Sequence, residues 1–134
     1  MKTKAKRALR FLGPILWMAF IFYLSSRQRI AVSSNYWLSF FIFKTLHIIE
    51  YGILFFFWYS ALYDRKDRLR LAIIFSFLYA VFDELHQKFV PTREGKVRDV
   101  FIDLLGIIIF WQVFLNRLEK TIIKIPILKN ILPS

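Results

Sequence analysis

Apolar residues run along this chain in long blocks separated by short charged ones. The first block covers residues 8–26 and is uncharged after Arg10, with Trp17, Phe20, Phe22 and Leu24 in its second half. Three more blocks follow at residues 40–63, 69–90 and 99–116. Each is close to the roughly 20 residues that a helix needs to cross the hydrocarbon core of a bilayer. The pattern therefore predicts four transmembrane helices. A leader peptide would open in the same way, but no small-residue cleavage site follows and Phe20, Phe22 and Tyr23 keep the segment bulky, so the first block is expected to be retained as a span. Pro14 removes one backbone hydrogen bond a turn into it and predicts a kink.

The connections are as informative as the blocks. Residues 25–39 form a polar-aromatic connector whose Tyr36 and Trp37 suit the headgroup level of a membrane. Residues 64–70 make a tight charged turn, and residues 91–98 a loop opened by Pro91. Beyond Arg117 the tail carries Ile122, Ile123, Ile127 and Ile131 among lysines, which predicts an amphipathic stretch lying on the membrane and interrupted at Pro126.

Composition agrees with that reading. The chain has 134 residues, 57% of them hydrophobic, yet a formal net charge of +11, a mixture foreign to small soluble domains. A single domain fills it. The absence of cysteine excludes a disulfide framework, a thiolate metal site and a thiol nucleophile. Its basic residues are scattered around apolar blocks and build no patch for nucleic acid; the partner they suit is the lipid bilayer itself. Lys and Arg crowd the N-terminal head, the 64–70 turn and the tail, which predicts a bacterial cell-membrane protein with both termini cytoplasmic. Lys88, Arg93, Lys96 and Arg98 run against that rule and call for another explanation.

Ionisable residues fall inside the apolar blocks, where they are costly. Because successive spans alternate in direction, Lys44, His47 and Glu50 in the second, Asp83, Glu84 and His86 in the third, and Asp99 and Asp103 in the fourth all reach the same leaflet, the outer one in this orientation. At about 100 degrees per residue, Lys44, His47 and Tyr51 share a face, as do Asp83, His86 and Gln87, with Tyr79 a turn below. Asp99, Asp103 and Gly106 form a stripe, and Gly106 would let a neighbouring backbone come close. The fold class is thus an all-α membrane protein, a bundle of four transmembrane helices with a polar cluster in its outer half and an amphipathic C-terminal tail.

The spacing Lys44-x-x-His47-x-x-Glu50-Tyr51, then Asp83-Glu84-x-His86-Gln87-x-Phe89-x-Pro91-x-Arg93, then Asp99-x-x-x-Asp103-x-x-Gly106 resembles the VanZ-like family of small bacterial membrane proteins. Leu24-Ser25-Ser26 at the end of the first span is similar to that family's pattern too, and Thr92 stands where it often has Gly. The resemblance implies a multi-span envelope protein, in a family whose founding member is linked to resistance to the glycopeptide teicoplanin.

The residues themselves allow several chemistries. His47, Glu50, Asp83, Glu84, His86, Asp99 and Asp103 are candidate catalytic groups: a divalent metal such as zinc, manganese or magnesium takes such ligands, and without a metal they suit acid-base work, a buried carboxyl as acid and an imidazole as base. Lys44, Tyr51, Gln87 and Arg93 are candidate substrate contacts, Lys44 and Arg93 for an anionic headgroup. The bland alternative is a neutralised polar knot that only holds the helices together. Two functions follow. One is an enzyme or modifying factor acting at the outer leaflet on a lipid headgroup, a lipid-linked wall precursor or a lipidated antibiotic. The other is a non-catalytic headgroup binder or a small transport or proton-relay element.

Overall fold

The computed structural model describes residues 8–28, 34–93, 95–115 and 117. The basic head up to Arg7, part of the first connector and the amphipathic tail expected from the pattern lie outside them. Four helices make up the described chain, α1 (Leu12–Ser26), α2 (Tyr36–Ala61), α3 (Arg68–Gln87) and α4 (Val97–Ile109), with no strand among the described residues.

Local chemistry sets where each helix starts and stops. A short helical turn over residues 8–10 breaks at Phe11, because Pro14 has no N–H to give the Arg10 carbonyl; the Phe11 N–H bonds to the Ala8 oxygen at 3.1 Å instead. The interruption expected near Pro14 therefore falls three residues before it. In α2 the Asn35 side chain accepts from the Trp37 and Leu38 N–H groups at 3.0 and 3.4 Å, capping the helix four residues ahead of the expected start. Tyr36 and Trp37 are thereby its exposed first turn rather than part of the connector. The charged turn into α3 is held by Arg65 on Asp67 at 3.1 Å, a hydrogen bond that keeps the Asp67 carboxyl below its ordinary range. After α3, Thr92 takes a left-handed conformation with φ 67°, and α4 begins four residues past Arg93. At its far end α4 passes into a π-helical stretch, Phe110–Leu115.

α2, α3 and α4 pack against one another, and α1 lies against α2 and α3. Small residues permit the approach. A Cβ on Gly106 of α4 would stand 2.8 Å from the Ile48 Cα of α2, and one on Gly52 would run into the Phe110 ring. Ala72, Ser76 and Ala80, spaced by one turn on α3, are all fully buried. α1 is fastened by side chains: Trp17 Nε1 donates to the Glu50 carbonyl at 2.9 Å and the Tyr79 hydroxyl to the Met18 carbonyl at 2.6 Å.

The distribution of polarity is the reverse of a water-soluble protein. Large apolar side chains face outward on every helix, including Leu16 (65% exposed), Phe41 (62%), Leu78 (57%) and Phe101 (64%), whereas Asp83 and Asp103 are 0% exposed and Glu84 3%. Two helices, Ala8–Ser26 and Tyr36–Ala61, are long and apolar enough to cross a membrane. An apolar exterior of this extent is matched to lipid rather than to water.

Candidate functional site

The buried charges gather at one end of the packed helices, where the first half of α2 meets the end of α3 and the start of α4. The Gly106–Ile48 contact sets the distance between α2 and α4. One turn before Gly106 on α4, Asp103 Oδ1 lies 3.1 Å from His47 Nδ1 on α2. A further turn towards the start of α4, Lys44 pairs with Asp99 at 2.5 Å, and Arg98 reaches the same carboxylate at 3.4 Å. Lys44 and Arg98 both lie over the Phe40 ring, at 5.7 and 5.3 Å from its centroid.

α3 brings two carboxylates against this seam. Gln87 Nε2 donates to Asp83 Oδ2 at 2.8 Å, an i,i+4 bond within the helix. Glu84 Oε2 accepts from the backbone N–H of Lys96 at 2.9 Å. That second bond depends on Gly95, since a Cβ there would collide with the Glu84 carbonyl oxygen. One atom each from His47, Glu84 and Asp103 lies within 4.8 Å of the others. Glu50 is half-buried and within electrostatic reach of His47, Asp83, Asp103 and Arg93. Tyr51, a turn along α2 from His47 with its ring nearly parallel to the imidazole, is fully buried.

Saturation of these groups is incomplete. Asp83 Oδ1, Glu84 Oε1, Asp103 Oδ2 and the Tyr51 hydroxyl are buried and make no hydrogen bond among the described residues. Native structures leave few such groups, so four in one place mark the site chemically.

Two of the residues singled out in the sequence are placed elsewhere. His86 turns to α1, with Nε2 3.0 Å from the Ser26 hydroxyl and its ring 4.4 Å from that of Phe22. Arg93 reaches α1 as well, donating to the carbonyls of Leu24 at 2.9 Å and Arg27 at 3.1 Å, where it caps the helix end with positive charge. His47, Asp83, Glu84, Asp99 and Asp103 come together with Lys44, Tyr51 and Gln87, and Glu50 stands beside them. Sequence reasoning missed Gly95 and the Lys96 backbone; a glycine just ahead of a helix start was the available sign.

A family model described as VanZ/LLP1 matches residues 11–119 of the chain. No curated protein and no solved structure matches it.

Proposed function

The chain belongs to the VanZ/LLP1 family, and from that premise we propose that it is a protein of the bacterial cell membrane that crosses the bilayer four times, with both termini in the cytoplasm. Its buried polar cluster acts at the outer leaflet on a lipid headgroup, a lipid-linked wall precursor or a lipoglycopeptide of the teicoplanin type. What supports this reading above all is the inverted polarity: carboxylates and an imidazole from three helices are inside, and an apolar surface is outside. Ionisable groups kept at that cost inside an apolar protein stand where chemistry or transport uses them.

Mechanistically, Asp83, Glu84 and Asp103 supply general acid or base groups and His47 the partner that holds or takes a proton from Asp103. Lys44 and Arg98, at the rim beside Phe40, supply positive charge for an anionic group arriving from the headgroup region. That rim also favours the second reading, in which the site binds a headgroup without transforming it.

The deciding experiment expresses wild type, Glu84→Gln and Lys44→Met at matched membrane levels in a glycopeptide-sensitive Gram-positive host challenged with teicoplanin. Protection by wild type that Glu84→Gln abolishes supports a chemical role. Loss with Lys44→Met alone supports headgroup binding. Equal protection by all three, or none by wild type, rejects the proposed role of the cluster in resistance.

A further inference from the structure

The carboxylates at the centre of the cluster are short of positive charge. Asp83 takes its hydrogen bond from a neutral amide and Glu84 from a backbone N–H, while the imidazole of His47 is bonded to Asp103. Lys44 is engaged by Asp99. An ionised carboxylate buried without a counter-charge is strongly destabilising, because it gives up its hydration and gains no opposite charge in return. Three such groups within one apolar interior are sustained only by protons or by a cation.

Geometry distinguishes the two. One oxygen of each of Asp83, Glu84 and Asp103 is left without a partner, and no carboxyl–carboxyl hydrogen bond occurs among the described residues of the cluster, so a proton on any of these oxygens would be a buried donor lacking an acceptor, whereas their lone pairs are open to a cation. The Tyr51 hydroxyl, from a different helix than either Glu84 or Asp103, is orphaned with them. His47, Glu84 and Asp103 already hold one donor atom each within 4.8 Å of the others. Ligands bonded to a zinc ion at about 2.0–2.2 Å stand roughly 3.4 Å apart, so the three donor atoms already stand close to the spacing of a loaded site.

We propose that His47, Glu84 and Asp103 hold a divalent transition-metal cation of the zinc or manganese class, with the Tyr51 hydroxyl beside it. One imidazole nitrogen and two carboxylate oxygens suit those ions, whereas magnesium and calcium favour oxygen throughout. Three protein ligands leave a coordination position open for water or for an oxygen of a substrate. Glu84 and Asp103 with a divalent ion are neutral as a unit, so the ion offsets two of the three buried carboxylates, while Asp83 keeps the hydrogen bond from Gln87. Lys96 and Gly95 hold the second oxygen of Glu84 in place, the role a backbone donor plays around a metal ligand. The inference rests on the cluster alone and is independent of which envelope substrate is used.

The test is metal analysis of the full chain purified in detergent from cells supplied with zinc and manganese, followed by chelation and titration with Zn²⁺, Mn²⁺ and Co²⁺. About one ion per chain is expected in wild type, with His47→Gln and Asp103→Asn weakening binding at least tenfold and His86→Gln, outside the cluster, retaining it. Should the ligand variants not fold, the visible spectrum of the Co²⁺-loaded wild type carries the decision, since a site with an imidazole and carboxylates gives ligand-field bands distinct from those of free aqueous cobalt. Wild type that takes up none of these ions at micromolar concentration, or binding unchanged in both ligand variants, overturns the proposal. A protein that binds metal but confers no resistance counts against the envelope reading alone; a metal-free protein that protects counts against this one alone.

Discussion

Gly106 of α4 rests against the backbone of Ile48 of α2, with room for a hydrogen and none for a methyl group: a Cβ would stand 2.5 Å from the Ile48 carbonyl oxygen. Because the obstruction is backbone, neither helix can yield by turning a side chain. Gly106→Ala is expected to push the helices apart and destabilise the fold by about 1–3 kcal/mol. His47 and Asp103, one turn away, would separate with them. Thermal unfolding in detergent and cysteine cross-linking between α2 and α4 both read this.

Gly95→Ala acts on the site from the loop. A methyl group there meets the Glu84 carbonyl, so the loop must retreat and the Lys96 N–H leaves Glu84 Oε2. Losing a hydrogen bond to a charged group costs about 1.5–3 kcal/mol. The variant is expected to remain in the membrane at near-normal levels while losing the function of the cluster, which a matched-level activity comparison with Glu84→Gln would show.

Thr92 holds a left-handed backbone at φ 67°, a region where a β-branched residue is strained and glycine is not. Thr92→Gly should stabilise the protein by roughly 0.5–1 kcal/mol, the relief being partly offset by the greater freedom of glycine in the unfolded chain. A rise in unfolding temperature checks it; a fall would mean that contacts of the threonine outweigh the strain.

Arg93 spans two carbonyls at the end of α1, and an ammonium group cannot reproduce that fork. Arg93→Lys is expected to loosen α1 from α3 by about 1–2 kcal/mol, on the scale of a charged hydrogen bond partly replaced. A lower unfolding temperature in detergent would report it, with the contacts among His47, Glu84 and Asp103 left intact.

His86→Gln should preserve the bond to Ser26 and leave activity close to wild type, whereas His47→Gln should abolish it. Comparable losses in both would place His86 in the reaction after all.

These last two residues show where sequence reading reaches its limit. Alternating directions and the 3.6-residue repeat were enough to bring His47, Glu84 and Asp103 towards one end, and Gly106 announced the close contact that joins α2 to α4. The same repeat put Asp83 and His86 on one broad face, about 60 degrees apart. For a helix with a single neighbour that would mean one environment. α3 touches α1, α2 and α4, and 60 degrees is sufficient to move a side chain from one groove to the next, so His86 turns to α1. Helix starts were legible only as far as caps are: Asn35 lies among polar residues that read equally well as loop. The glycine at position 95 and the backbone donor after it have no periodicity to betray them. The π-helical turn at Phe110–Leu115 is equally silent, and so is the seat of the Phe110 ring over Gly52, a contact between positions far apart in the chain.

The place of α4 in the chain has a consequence for biogenesis. Asp103, and the backbone N–H that holds Glu84, belong to the part of the chain synthesised after α1, α2 and α3. Until α4 arrives, His47 and Glu84 lack the partners that hold them, and polar groups left unpaired in an apolar setting are costly. A nascent chain halted before residue 97 would therefore carry its own mark of incompleteness, erased once α4 packs against α2 and α3.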